Sequence, residues 1–438
     1  MKHIELHIKK IGILFLSLFV LAACSKDDEN DNNGGDTKKS EAKEITEFAF
    51  LMSDNESFSK DVPGTIDGNT KTIRARVPNA ADLSSLTPTI KVSVGATIDP
   101  KDKVTVDFSE EVTYTVTAED GSTAKYVVEI DRMLSERDAL AAIYNANPEN
   151  TLGWDLEKEP SDWSGVIMEG GKVVGLGLGL SNLLTLPISI GDLENLTELS
   201  VSGNTIASVP LEIGNLTNLK SLNLTNNGFT SIPAELGNLS NLEELYLSSN
   251  ALKDIPVELG NLEKLEELFL PNNFLTNLPV ELGNLINLKK LFVSNNPLST
   301  IPGELGNLEN LTELLLFDNT LTTLPDELGN LSKLEILRLS GNSLTSFPVA
   351  LTNLENLQEL SLRKNSLTSL PSEIENLTNL IELYLSDNSL ASLPSEIGNL
   401  SNLKELWILG NPLTAIPKEI CALDLDELRK DDTQVCEE

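Results

Sequence analysis

The sequence predicts a solenoid of short parallel strands, preceded by a small all-β domain. A unit seen at residues 242–264, LEELYLSSNALKDIPVELGNLEK, recurs every 23 residues without insertion. A pattern of the form LxxLxLxxNxLxxLP, repeated at about 20 to 29 residues, indicates that each repeat adds one strand to a stacked array. Residues 45–132 instead hold short runs in which β-branched and polar residues alternate. At 438 residues the chain is too long for one ordinary globular domain, so two or more structural units are expected.

The charge and the rare residue types exclude several functions. The formal net charge is -35 at pH 7, and such an acidic chain repels phosphate backbones, so nucleic acid is not expected as a partner. The only histidines, His3 and His7, lie in a segment that we expect to be removed. Without histidine the Ser-His-Asp and Cys-His systems and His-ligated zinc are excluded. We therefore expect no catalytic residues, no metal and no cofactor.

Residues 1–23 are predicted to be a secretory signal. Two lysines precede an apolar run over residues 11–23, and the polar stretch SKDDENDNNGG follows. A transmembrane anchor is the disfavoured alternative, because the run is short for a bilayer. The sequence LAAC at residues 21–24 resembles the lipobox of bacterial lipoproteins, which implies that Cys24 is lipidated and is the only membrane contact. In that family Ser25 implies the outer membrane, and the acidic residues after it resemble the export tethers of Gram-negative surface lipoproteins.

Residues 24–43 are expected to be a flexible acidic tether, and residues 44–133 to form a β-sandwich. The predicted strands include ITEFAF, TIRARVP, IKVSV and VTVDF. VTYTVTA and KYVVEI, joined by residues 119–122, form a hairpin signal. The stretch from LTPTIKVSVGATIDP to KYVVEI resembles the immunoglobulin-like modules found behind lipoprotein tethers in Gram-negative surface proteins. That resemblance implies a spacer.

Residues 134–172 are assigned to the N-terminal cap of the solenoid, which needs an atypical first unit to cover its apolar end. A helix is predicted over SERDALAAIYNA, where Ser135 and Asp138 have the spacing of a capping box. This stretch, with SDWSGV and KVVGLGL, resembles the N-terminal caps of extracellular leucine-rich-repeat proteins. There Trp154 and Trp163 would close the core, and we favour that role over ligand binding.

Residues 173–423 contain about 11 repeats. The positions eight, five and three residues before the repeat asparagine are apolar in all ten asparagine-bearing repeats, which places the last two on one side of a short strand. Asn273 and its equivalents are expected to satisfy buried backbone groups, and Pro279 and Gly283 mark a return path that is extended or briefly helical. Eleven parallel strands are predicted, the first at residues 176–178.

The unit resembles the bacterial 23-residue leucine-rich repeats of the LPxELGNLxNLxELxLSxN kind. That resemblance implies a parallel sheet on the concave face, irregular or short helical segments on the convex side, and a scaffold for recognising proteins. Residues 424–438 are then a C-terminal cap. In an oxidising compartment Cys421 and Cys436 are expected to form a disulfide worth about 3 kcal/mol, and free thiols are the alternative.

The residue between the two strand leucines is predicted to be the most central exposed position of the concave face. Five of its eleven occupants are aromatic, in a chain that is only 5% aromatic. An apolar surface rimmed by charges is typical of a recognition site. The alternative is that the aromatic rings stack and only stabilise the sheet. The predicted binding residues are Tyr246, Phe269, Phe292, Leu315, Phe317, Arg338, Tyr384, Trp407, Glu244, Glu267, Lys290 and Glu313.

With the resemblances above, these observations predict a lipoprotein anchored at the outer membrane of a Gram-negative bacterium, on the cell surface, that recognises a protein partner through the concave face of its repeats. A glycan stacked on Tyr246, Phe269 and Phe292 is the alternative ligand. A carboxylate-based hydrolase is least favoured. The glutamates that recur on the return path, from Glu212 to Glu327, form an exposed ladder without an enclosed pocket to separate two pKa values.

Overall fold

The computed structural model describes residues 39–58 and 60–437, and the chain divides into two compact units. One unit comprises most of the residues before 130, and the other comprises residues 130–438 with the short segments 56–62 and 76–82. The predicted signal segment, Cys24 and the tether up to residue 38 lie outside the described residues.

Among the described residues, the strands β1 to β8 of the all-β domain are Ile45–Phe50, Val62–Pro63, Thr65–Asp67, Thr72–Val77, Thr89–Val92, Thr97–Asp99, Val112–Thr117 and Thr123–Arg132. They form two sheets, with the orders β2-β1-β5 and β3-β4-β8-β7-β6. The predicted hairpin is confirmed: β7 pairs antiparallel with β8, with Tyr114 opposite Tyr126 and both rings buried. The predicted strand VTVDF is wrong. Only an isolated bridge joins Val106 to Leu86, since Val104 is exposed and the alternation buries no continuous face. A 3-10 helix covers Leu83–Ser85.

The cap begins with helix α1, Glu136–Ala146, as the capping-box pattern predicts. The hydroxyl of Ser135 accepts a hydrogen bond from the Asp138 backbone N–H at 3.2 Å and donates to the Asp138 carboxylate at 2.6 Å. Trp154 and Trp163 are buried, and their rings stack with centroids 4.9 Å apart. Both tryptophans therefore belong to the cap core, as predicted. A 3-10 helix at Pro160–Asp162 lies between the two tryptophans in the chain.

The solenoid is built on one sheet of 13 strands, which confirms the predicted parallel architecture. Strand β9, Val166–Glu169, pairs antiparallel with β10, Lys172–Gly177, and the following strands add in parallel. The sheet has two strands more than predicted, because the cap contributes β9 and the C-terminal segment contributes β22, Glu427–Arg429. Strands β11 to β20 are Glu198–Ser200, Ser221–Asn223, Glu244–Tyr246, Glu267–Phe269, Lys290–Phe292, Glu313–Leu315, Ile336–Arg338, Glu359–Ser361, Glu382–Tyr384 and Glu405–Trp407.

The return path of each repeat holds a five-residue 3-10 helix that starts after the repeat proline. Successive helices pack closely, and glycine permits this approach: a Cβ at Gly214 would lie 2.6 Å from the backbone oxygen of Glu235 in the next repeat. The helices are Ile188–Asp192, Leu211–Asn215, Ala234–Asn238, Val257–Asn261, Val280–Asn284, Gly303–Asn307, Asp326–Asn330, Val349–Asn353, Ser372–Asn376 and Ser395–Asn399.

The repeat asparagine has the structural role that the sequence predicts. The amide of Asn273 donates to the backbone oxygens of Leu247 at 3.0 Å and Leu270 at 2.9 Å, and its oxygen accepts from the Leu252 backbone N–H at 3.1 Å. It thus satisfies backbone groups of its own and the preceding repeat, which no ladder partner reaches. The equivalent asparagines repeat this arrangement along the solenoid, as at Asn296.

The C-terminal end is closed by helix α2, Lys418–Cys421, and by the pairing of β21, Ala415–Ile416, with β23, Val435–Cys436. The predicted disulfide joins Cys421 to Cys436 across 15 residues. In the described part of the chain, no helix has the length and apolar character needed to cross a membrane.

Candidate functional site

The concave face carries a continuous row of apolar side chains. Parallel pairing places Tyr246 beside Phe269, Phe269 beside Phe292, and Phe292 beside Leu315. The Tyr246 and Phe269 ring centroids are 5.0 Å apart, and those of Phe269 and Phe292 are 4.4 Å apart in an edge-on arrangement. Phe317 occupies the next position on the same face of its repeat. We call these five residues the concave strip.

The concave strip is less exposed than the sequence predicts. All five side chains are half-buried, and the rings of Tyr246, Phe269 and Phe292 cover part of one another. By contrast, Phe274 follows the repeat asparagine, lies outside the strip and is 59% exposed. Contact between aromatic rings on neighbouring strands, which the sequence left open as an alternative role, is therefore present. The strip still offers an apolar surface, since none of its members is fully buried.

Charged groups along the strip are tied to one another. The Glu267 carboxylate accepts a hydrogen bond from the Tyr246 hydroxyl at 3.0 Å and lies 2.9 Å from the Lys290 ammonium. Burial, with the hydrogen bond to Glu267, raises the pKa of Tyr246, and the hydrogen bond to Glu267 raises the pKa of Lys290. Glu244 accepts from the Ser221 hydroxyl at 2.9 Å. Glu313 pairs in register with Lys290 on its other side.

Arg338 is held by a carboxylate that the sequence analysis did not single out. Its guanidinium donates to both carboxylate oxygens of Glu359, at 2.6 and 2.8 Å, and Glu359 is buried. This hydrogen bonding raises the pKa of Arg338. Glu359 stands in the strand after Arg338, at the position that Glu267 fills elsewhere, so the repeat register would have revealed the pair.

Tyr384 and Trp407 form a second cluster nearer the C-terminal end. Their ring centroids are 4.4 Å apart. The Tyr384 hydroxyl lies 2.6 Å from a carboxylate oxygen of Glu382 and 2.9 Å from one of Glu405, and burial together with these carboxylates raises the pKa of Tyr384. The Arg429 guanidinium lies 3.8 Å from the centroid of the Trp407 ring. The sequence analysis named neither of these carboxylates, nor Arg429.

The structure thus separates the predicted site residues into two groups. Tyr246, Phe269, Phe292, Leu315 and Phe317 are contiguous. Tyr384 and Trp407 form the second group. Arg338 and the buried Ser361 lie between the two groups, on the two strands that separate Leu315 from Tyr384. Among the described residues, no cluster of three or more histidine, cysteine or acidic side chains could hold a metal ion.

Family profiles match both parts of the chain. The profile described as SGBP, N-terminal, matches residues 53–130. The profile of a leucine-rich repeat region matches residues 175–273 and 326–435, and a leucine-rich repeat profile matches residues 287–308. No curated protein sequence matches the chain.

Solved structures with the same kind of repeat are similar to this chain. A leucine-rich-repeat protein of Leptospira interrogans is 37% identical, with 60% of this chain and 79% of that chain covered and a TM-score of 0.42. A TDR receptor is 32% identical over 60% of this chain and 47% of that chain, with a TM-score of 0.55. The plant peptide hormone receptor RGFR1, in complex with RGF2, is 28% identical over 63% and 53%, with a TM-score of 0.52.

This chain spans about half the length of the two receptors. The profile matches and the 13-stranded sheet agree with the 23-residue pattern of the sequence. The chain is therefore a leucine-rich-repeat protein, with a domain of the SGBP N-terminal kind preceding its repeats.

Proposed function

We propose that this chain is a recognition protein that binds a protein partner through the concave strip. The observation that carries the proposal is the contiguity of five half-buried apolar side chains, three of them aromatic rings in contact, on one face of the sheet. Aromatic anchors surrounded by polar residues provide most of the binding energy in protein interfaces. The likeness to two receptors, one of them in complex with RGF2, supports the proposal.

The acidic residues beside the concave strip indicate the charge of the partner surface. Glu244, Glu267 and Glu313 border the strip in a chain of net charge -35. Complementary charge around an apolar centre speeds association and rejects partners of like charge. A partner with an apolar centre and a basic rim fits this surface.

Two phenylalanines of one repeat provide a matched test. Phe269→Ala removes the middle ring of the strip, whereas Phe274→Ala removes an exposed ring outside it. Proteins cross-linked to the full chain on intact cells would be quantified by mass spectrometry. We expect the specific partner to be lost about tenfold or more with Phe269→Ala, which corresponds to at least 1.4 kcal/mol, and retained with Phe274→Ala. Equal capture by both folded variants would refute the proposal.

Binding of a surface glycan is the second candidate. The match of residues 53–130 to the SGBP N-terminal profile favours it, and Tyr246, Phe269 and Phe292 also suit stacking against sugar rings. Glu267 and Lys290 would then hydrogen-bond the hydroxyl groups. A glycan array probed with the wild-type chain and with Phe269→Ala separates the candidates, since only a glycan ligand held by the strip gives signals that the substitution removes.

We also propose that the chain is anchored at the outer membrane, on the surface of a Gram-negative cell. The LAAC sequence that ends at Cys24, followed by Ser25, supports lipidation. Metabolic labelling with an alkyne fatty acid should label the wild-type chain, and the Cys24→Ser variant should remain unlabelled. Protease shaving of intact cells should release solenoid peptides. Peptides released only after lysis would contradict the surface location.

A further inference from the structure

Three buried polar atoms without hydrogen-bond partners lie near one another on the concave face, beyond the concave strip. They are the Nε of Arg363, the hydroxyl of Ser386 and the indole nitrogen of Trp407. The Arg363 guanidinium carbon is 5.3 Å from the centroid of the Trp407 ring. Ser386 is 2% exposed and occupies the strand position next to Arg363, since the Lys364 backbone N–H donates to the Ser386 oxygen at 2.9 Å. Adjacent strands are about 4.8 Å apart, so the three side chains lie on successive strands of the same face.

The three groups of this cluster can all donate hydrogen bonds, so a ligand that binds them must supply acceptors. Arginine Nε–H and indole N–H can only donate hydrogen bonds, whereas the serine hydroxyl donates or accepts. A buried polar group that is left unpaired costs about 1–3 kcal/mol, and three such groups in one place are therefore unfavourable in the free protein. Since all three atoms are shielded from solvent, a group with two acceptor oxygens would satisfy them after the Arg363 guanidinium turns away from the Trp407 ring.

Arg363 also differs from its neighbours in its charge environment. Arg338 is paired with Glu359, and Arg429 with Glu427 at 2.7 Å. In the described part of the chain Arg363 forms no such ion pair, and its guanidinium contacts the Trp407 ring instead. A guanidinium that is not matched to a carboxylate within its own chain is suited to a carboxylate from outside.

We propose that Arg363, Ser386 and Trp407, here called the Arg363 subsite, bind the carboxylate of an acidic side chain of the protein partner. This inference rests on the proposed function. The guanidinium would bind the carboxylate through its fork, and Ser386 and Trp407 would hydrogen-bond the same group. A monoanion suits the site better than a dianion, because the surrounding chain is acidic. Phe317 and Arg363 both lie two residues before a repeat asparagine, in repeats that are two apart. Their strands are therefore about 10 Å apart, and one partner reaches both the concave strip and the Arg363 subsite.

The three tryptophans of the chain allow a direct test on the full-length protein. The indole N–H groups of Trp154 and Trp163 donate to the backbone oxygens of Ser164 and Asp155, whereas that of Trp407 is unpaired. Nitrogen-15 indole spectra would follow titration with a blocked tripeptide that has a central glutamate, the same tripeptide with glutamine, and digalacturonic acid. We expect only the glutamate peptide to shift the Trp407 signal saturably, while the two cap signals stay fixed.

Variants define the residues responsible. Arg363→Gln should weaken the glutamate peptide about tenfold or more, in line with loss of a charged hydrogen bond, and Ser386→Ala should weaken it to a smaller extent. Arg74→Gln is the control with the same loss of charge and should leave binding unchanged, because that exposed arginine lies in the all-β domain.

Several results would overturn the subsite. They are equal shifts with the glutamine peptide, binding of digalacturonic acid alone, no shift with any probe, or peptide binding that survives Arg363→Gln in a folded protein. The proposed function is tested separately: partner capture that is lost with Phe269→Ala but kept with Arg363→Gln removes the subsite and leaves the concave strip as the binding surface.

Discussion

Replacement of one buried asparagine should destabilise the scaffold that holds the concave strip. Asn273 is 5% exposed and follows the strand that carries Phe269. Its side chain makes three hydrogen bonds of 3.1 Å or less to backbone groups, two as donor and one as acceptor, and a longer one of 3.5 Å to the Pro271 oxygen. Asn273→Ala removes them all, and loss of the three shorter ones leaves the Leu252 N–H and two carbonyl groups without this partner.

The expected loss follows from these contacts. Each buried group that loses its partner costs about 1–3 kcal/mol, and carbonyls, which have two lone pairs, fall at the lower end. The three groups together give about 3–5 kcal/mol, a large fraction of the stability of an ordinary domain. Because repeats contact mainly their neighbours, the loss should be concentrated in the repeats around Asn273.

Urea unfolding followed by circular dichroism measures the loss of unfolding free energy. Hydrogen exchange at the Leu252 amide shows whether that loss is concentrated near Asn273. Asn277→Ala in the same repeat is the control, since Asn277 is exposed, and its effect should stay within about 0.5 kcal/mol. A loss below about 1 kcal/mol for Asn273→Ala, with unchanged exchange at the Leu252 amide, would refute the conclusion that the repeat asparagines satisfy the buried backbone groups.

Three further predictions concern the close packing of neighbouring repeats, the C-terminal disulfide and the two tyrosines of the concave face. Gly214→Ala should cost about 1–3 kcal/mol in urea unfolding, because the added methyl overlaps a backbone carbonyl of the next repeat. Reduction of the bond between Cys421 and Cys436 should lower stability by about 3 kcal/mol, measured with and without dithiothreitol. Tyr246 and Tyr384 have raised pKa values, so in a titration at 295 nm they should remain neutral near pH 10, where free tyrosine ionises. Their contribution to stability is full below that pH and is lost as pH rises through the folded pKa.

The repeat made the solenoid predictable. A fixed 23-residue period sets strand, turn and return path at once, and it places Leu268 and Leu270 in the core and Phe269 on the opposite side. The extra strands at the two ends were not predictable in this way. Val166–Glu169 and Glu427–Arg429 lie where the pattern is lost, and they join the sheet because its terminal strands have unpaired backbone groups.

The site was predictable only in part. Alternation along a strand decides which side chain faces outward, but it does not decide how far neighbouring rings bury one another. Tyr246, Phe269 and Phe292 are therefore on the expected face yet half-buried. The pairing of Arg338 with Glu359 follows from the register of adjacent strands. The unpaired state of Arg363 depends on its rotamer over Trp407, and no sequence pattern encodes that choice.

The two ends of the concave face differ in what their polar groups still lack, and this difference carries the functional argument furthest. Along the strip, Glu267 already binds both Tyr246 and Lys290, so its charges mainly fix ring positions and the apolar surface remains for a partner. At Arg363 and Trp407 the polar groups are buried and unmatched, so a partner would gain hydrogen bonds that the free chain lacks. A ligand that places an apolar segment over the strip and a carboxylate about 10 Å beyond Phe317 would therefore be preferred over one that offers either feature alone.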